Sequence, residues 1–272
     1  MIREAAVAGQ FYPAWPDELR EMIKYMTGEW TSKVDVIGVV APHAGYIYSG
    51  QVAGAVFSRI KIKDTFIIIG PNHRGMGKPF SLMREGKWKT PLGDVKINTE
   101  LADAILKATK HLEEDSTAHR FEHSLEVQVP FLQYFNPAVT IVPIILAQAR
   151  TTVYKEIGSA LASVLKQTGK DAVIVASSDM THYEPQESVR MKDALAIEAV
   201  INLDADELVK RIAAHEITMC GYAPVVSLIT AAREMGARKG ELVRYQTSGD
   251  TSGDMTSVVG YAGIIVPRQV VK

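Results

Sequence analysis

The sequence holds one cysteine, Cys220, among 272 residues. No intramolecular disulfide can form, which excludes a secreted, disulfide-stapled scaffold. No apolar run approaches the roughly 20 residues that span a bilayer. The opening MIREAAVAGQFYP has no basic region followed by an apolar stretch, so no signal peptide is expected and a cytoplasmic location is the default. Neither sign of charge dominates: 30 Lys and Arg stand against 31 Asp and Glu. That balance lacks the electrostatic footprint of a nucleic-acid binder, and neither nucleic acid nor a membrane is expected as a partner. The phosphate-binding loops G-x-G-x-x-G after a strand and G-x-x-x-x-G-K-[ST] are missing, as is the nucleophile elbow G-x-S-x-G. No charge-dense or Pro/Ser-rich linker divides the chain, so residues 1–272 are read as one domain.

What is present is a series of buried-strand signals, each followed by polar residues. Residues 34–40, VDVIGVV, run into Pro42-His43-Ala44-Gly45. Residues 66–69, FIII, stop at Gly70-Pro71-Asn72-His73, and residues 172–176, AVIVA, end in Ser177-Ser178-Asp179-Met180-Thr181-His182. Continuous apolar runs bounded by Pro or Gly are consistent with strands buried on both faces. Helical spacing is expected at 51–60, between the first two strands, which makes a βαβ unit. A helix is also expected after Trp15-Pro16-Asp17, with Leu19, Met22, Ile23 and Met26 on one face. Residues 81–97 read as a hairpin-like insertion, and Asn98 as the cap of a helix over 100–110. A further helix is expected at 122–134 and a strand at 139–146, with Pro143 placing that strand near an edge or a bulge. Helices over 152–166, 189–200, 204–214 and 223–235 and apolar stretches at 242–245 and 258–266 complete an α/β pattern with a mainly parallel central sheet flanked by helices.

Ligands in open α/β sheets bind at the carboxyl ends of the strands. If the three strands are parallel in one sheet, His43, His73 and the pair Asp179 and His182 converge there. Neutral imidazole is the commonest metal ligand near neutral pH, and converging imidazoles suit Zn, Fe or Cu. Cys220, just before Ala223-Pro224, reads as a thiol at a helix N-terminus, where the dipole favours thiolate, or, as free cysteines more commonly are, as a buried small apolar residue. His119, His123 and Glu126 are spaced to share a helix face, which serves either a ligand cluster or a helix cap, and His123 is placed near the pocket. The repeated TSGD at 247–254 reads as turn chemistry.

Together the motifs APHAGY (41–46), GPNH (70–73), EHSLE (122–126), SSDMTH (177–182), MCG (219–221) and VVGYA (258–262), with AGQFYP near the start, resemble the Memo family, whose prokaryotic members are called AmmeMemoRadiSam system protein B. The resemblance covers nearly the whole chain. It implies the fold of class III non-haem iron extradiol dioxygenases of the LigB type. It further implies that His43, His73 and Cys220 are metal ligands, with Cys220 standing where those dioxygenases have a carboxylate. His182 matches the acid/base histidine, with Asp179 as its acidic companion, while the spacing alone places His123 as a substrate-facing group or one that supports the ligands. The implied cofactor is iron or copper, with zinc as a further candidate. The implied functions are a metal-dependent, dioxygenase-like redox reaction on an unknown small molecule or, alternatively, a non-catalytic accessory protein that binds metal or a phosphopeptide. A zinc hydrolase also suits His/His/Cys. Family association adds radical SAM and AMMECR1-like proteins as expected partners.

Overall fold

The computed structural model describes residues 1–28 and 32–269. The chain enters as an extended arm carrying β1 (Ile2–Arg3), then turns into α1 (Pro16–Met26), where Pro16 occupies the first turn and its missing N–H costs nothing. Strand β2 (Val36–Ala41), α2 (Tyr46–Arg59) and β3 (Thr65–Pro71) follow. The short strands β4 (Phe80–Leu82), β5 (Lys87–Thr90) and β6 (Gly93–Ile97) lead to α3 (Thr99–Ala108) and β7 (Glu113–Glu114). A 3-10 turn at Glu126–Gln128 opens α4 (Val129–Phe135), which is followed by β8 (Thr140–Leu146), α5 (Thr151–Thr168) and β9 (Ala172–Ser177). The last third contains β10 (His182–Glu184), α6 (Gln186–Ile201), α7 (Ala205–His215) and α8 (Tyr222–Glu234). It closes with β11 (Glu241–Thr247), α9 (Gly249–Ser252) and β12 (Val258–Pro267). Among the described residues, no helix is long and apolar enough to cross a membrane.

Strands β6, β8, β3, β9 and β2 lie side by side and parallel, and β12 runs antiparallel along β2. Every residue of β2 and β9 is buried, as expected of strands covered by helices on both faces. Alternate side chains go to opposite faces, the period-2 signature of a strand. Ile37, Ile67 and Ile174 pack on one side with Leu161 of α5 and Leu228 of α8. Val39, Ile68 and Val175 pack on the other with Ile23 of α1 and Val56 of α2. The expected hairpin forms from β5 and β6, and the Asn98 side chain caps α3 by accepting from the Leu101 amide at 3.1 Å.

Strands β2 and β3 are parallel, as a βαβ unit requires, with β9 inserted between them. Two local expectations differ from the fold. Pro143 sits in an interior strand rather than at an edge. On its outer side β6 has already ended at Ile97, opposite Ile141, and β4 pairs from Leu82, opposite Ile144. The Pro143 carbonyl faces that gap and accepts the Met83 amide at 3.3 Å. N and C=O of one strand residue point to the same side, so the missing N–H falls where no strand asks for it. The helix expected over 122–134 begins only at Val129, so His119, Glu122 and His123 lie on turns and share no helix face. The acidic side chains there bond to distant parts of the chain instead of supporting a first helical turn.

Candidate metal centre

Because β9 lies between β3 and β2, the loops after all three strands meet at one sheet edge. His43 follows β2, His73 follows β3, and Asp179 follows β9. The Asp179 Oδ1 accepts the His43 amide at 2.7 Å, which ties the β9 loop to the β2 loop. His123 reaches the same point from the turns before α4. One ligand atom from each of His43, His73 and His123 lies within 4.8 Å of the others. Their rings are in contact: His43 is edge-on to His73 at 5.1 Å and to His123 at 5.5 Å, and His73 stacks on His123 at 4.8 Å.

The outer nitrogens of two of these rings are committed. Ser177 Oγ donates its one hydrogen to the Ser124 carbonyl at 2.6 Å and accepts from Gln128 Nε2 at 2.9 Å. With that hydrogen used, the 3.0 Å contact between Ser177 Oγ and His43 Nδ1 must be donated by the ring. His43 therefore carries its proton on Nδ1 and presents the Nε2 lone pair inward. His73 Nδ1 donates to Glu122 Oε1 at 2.9 Å, and the His73 amide donates to Glu122 Oε2 at 2.9 Å. A ring nitrogen fastened to a carboxylate or hydroxyl, with the other left free, is how ligating histidines are oriented.

The charge states agree with this geometry. Burial, then the neighbouring His73, His123 and His182, hold His43 well below the usual imidazole range. Burial also brings His123 down to about 4. Burial opposes ionisation of Glu122, but bonds from His73 and from the Ser124 amide outweigh it and hold its carboxyl at about 2. His43 and His123 are thus neutral imidazoles beside a fixed carboxylate. Asp179 goes the other way: burial raises it to about 6, against the hydrogen bonds from the His43 and Ala44 amides.

Cys220 Sγ lies 3.2 Å from His43 Nε2 and 3.7 Å from the Asp179 carbonyl oxygen. The residue precedes Gly221, the N-cap of α8. Gly221 is required there, because a Cβ would stand 2.2 Å from the Ser177 carbonyl oxygen. The helix dipole does not activate the thiol. Burial, reinforced by the nearby Asp179 charge, pushes it well above the ordinary cysteine range. It is a protonated S–H directed at the His43 lone pair. His182 lies half-buried at the start of β10 with its Nδ1 2.9 Å from the Thr218 carbonyl, which can only accept, so Nε2 is left free.

Two cavities meet at this cluster. One, of about 480 Å³, is lined by His43, His73, His123, Asp179 and His182 together with Phe11, Tyr48, Tyr183 and Tyr261. The other, of about 570 Å³, reaches His73 and Cys220 past Asn72, Thr218 and Tyr222, and no Asp, Glu, Lys or Arg lines it. The repeated TSGD, expected as turns, forms the end of β11 and the single-turn helix α9, with Asp250 accepting the Thr247 amide and Asp254 the Thr256 amide. Its Ser248, Ser252 and Asp254 also line the first cavity. His119 is not in the cluster. It is buried, 6.0 Å from the Trp88 ring and 3.3 Å from Ser81 Oγ. Sequence reading did not single out Glu122, Ser177 or Gln128, whose roles depend on contacts between distant segments.

With this geometry in view, the fold and the centre define a class: an α/β protein with a histidine cluster at the carboxyl edge of a largely parallel sheet. The family model described as "Memo-like protein" matches residues 3–265. The chain is 45% identical over 267 residues to a MEMO1 family protein of Methanococcoides burtonii, covering 97% of this chain and 100% of that one. It is also 45% identical over 266 residues to a MEMO1 family protein of Aquifex aeolicus, covering 97% and 98%. An uncharacterized protein of Escherichia coli K12, JW3007, has a similar fold, with a TM-score of 0.57 and 16% identity over 84% of this chain and 98% of that one. The chain belongs to the Memo family.

Proposed function

We propose that this protein holds one transition-metal ion at His43 and His73, with His123 and Cys220 as the adjoining donors, and uses it on a small molecule bound in the 480 Å³ cavity. The observation that carries the reading is the convergence of three imidazoles, two of which, His43 and His73, have their outer nitrogens tied down by Ser177 and Glu122. The donor set fits such an ion. The His43 Nε2 lone pair is met by the Cys220 thiol, and the His73 ring, tied through Nδ1, leaves Nε2 as its donor. His123 Nδ1 is buried without a hydrogen bond, although Glu122 Oε1 lies 3.5 Å away. Three nitrogens and a thiol suit iron, copper or zinc rather than Mg or Ca. When bound, the ion supplies Lewis-acid or redox chemistry.

The chain's own residues supply the rest. Asp179, raised toward neutrality by burial, is poised to take or give a proton inside the cavity, and His182 Nε2 can accept or return one at its mouth. Phe11, Tyr48 and Tyr261 exclude water from one side and offer flat apolar surface to a ligand. These features favour a metal-dependent oxidoreductase over a scaffold, because proton-exchanging groups, Asp179 and His182, line the same cavity as the ligand atoms. Metal analysis of protein purified without chelator, followed by O₂ consumption with a panel of catechol-like phenols, tests the reading. Expected are about one ion per chain and uptake with some panel member. Stoichiometric metal with no uptake from any member removes the redox part and leaves a binding protein.

A further inference from the structure

Arg3 is a buried cation, 5% exposed, and unused by the chemistry above. Its guanidinium donates through Nε to the His119 carbonyl at 2.7 Å, through Nη2 to the Glu122 carbonyl at 2.7 Å, and through Nη1 to Glu126 Oε2 at 2.6 Å. It stacks on Trp88, 4.2 Å from the ring centre. Glu126, fully buried, in turn accepts the Ala6 and Val7 amides and the Tyr12 hydroxyl, so the pair binds the N-terminal arm to the turns that carry Glu122 and His123. The arm's Phe11 then packs on the His123 ring at 4.8 Å.

A buried ion pair contributes little net stability over apolar replacement. What Arg offers here is geometric. Its planar fork of donors can hold two carbonyls and a carboxylate at once, which a lysine ammonium cannot do in the same plane. Residues 117–125 have no strand or helix ladder to fix them. The Glu122 backbone that Arg3 grips belongs to the same residue whose carboxylate orients His73 by its amide and its ring.

We propose that Arg3 is a positioning residue of the metal centre, which clamps the Glu122–His123 turn and through it sets the His73 and His123 rings. The proposal rests on the metal reading above, and the test separates the two. Wild type, Arg3→Lys and the double variant Arg3→Met/Glu126→Leu are titrated with Co(II) alone. In parallel, hydrogen exchange of the His73 amide and the thermal midpoint are recorded. Arg3→Lys is expected to stay folded and bind Co(II) about 10- to 100-fold more weakly, as for other residues that orient ligands. Its His73 amide is expected to exchange at least about tenfold faster, because 1.4 kcal/mol of lost protection is a factor of ten. The double variant keeps apolar packing without charge, and the same losses are expected if the lysine variant fails to fold. A lowered thermal midpoint with wild-type Co(II) affinity and wild-type His73 protection makes Arg3 merely structural and overturns the proposal. If wild type binds no Co(II), the metal reading fails, and His73 exchange alone decides whether Arg3 positions the turn.

Discussion

The His73 ring and the Glu122 carboxylate are joined twice over, through Nδ1 to Oε1 and through the backbone amide to Oε2, each at 2.9 Å. Oε1 also accepts the Ser124 amide, so three N–H groups converge on one buried carboxylate. Glu122→Gln puts an NH₂ where an acceptor stood, and at least one of those donors then faces another donor. Metal affinity is expected to fall about 10- to 100-fold with the fold retained. Competition with a coloured chelator measures it, and unchanged affinity would detach Glu122 from the centre.

Cys220 tests the fourth donor. The metal-free thiol is half-buried at the wall of the larger cavity and held protonated, so alkylation at neutral pH should be slow. A bound cation supplies the positive charge that deprotonates a coordinating thiol. The Co(II) form of the wild type should therefore show a thiolate-to-metal charge-transfer band that Cys220→Ser lacks. A band-free wild type that still binds Co(II) assigns the site to the three imidazoles alone.

Acid should expose the buried histidine that lies outside the cluster. Burial brings His119 down to about 3, and burial and its neighbours depress His123 and His43 as well. A depressed imidazole leaves the folded state short of a proton that the unfolded chain binds below about 6.5. Its stabilising effect is complete above that pH and is lost as pH falls toward the folded value. Each such group contributes a slope of about 1.4 kcal/mol per pH unit within its window. Asp179, raised to about 6, acts with the opposite sign and offsets part of this loss. Glu122 adds its own loss only below about 4.5, near the reference value for a free Glu. Urea unfolding from pH 6 to pH 4.5 should therefore be less steep in His119→Gln than in wild type by about one group's slope. Parallel lines for the two proteins would contradict the buried, neutral assignment.

Much of this was legible in the chain and some was not, for reasons visible at single residues. His43, His73 and Asp179 each end an apolar run, and the carboxyl-edge rule places them along one sheet edge once the strands are parallel. Their adjacency depends on β9 entering between β2 and β3, which no local pattern encodes. The helix expected from residue 122 failed because Glu122 and Glu126 take partners 49 and 123 residues away, His73 and Arg3, and propensity does not see those contacts. The dipole argument for Cys220 failed because position at a helix end says nothing about desolvation, and here burial dominates. Arg3 looks like an ordinary surface cation in sequence. Only its burial against Trp88 marks it out.

The most direct test of the metal centre is a Co(II) titration of chelator-stripped protein, wild type beside His43→Ala. His43 is in ring contact with both other imidazoles, and its Nε2 lies 3.2 Å from the Cys220 thiol. Wild type should bind one equivalent with visible bands of low-symmetry Co(II), and the variant, folded by circular dichroism, should lose that equivalent. A wild type that binds none, or a variant that binds as wild type does, would contradict the metal centre.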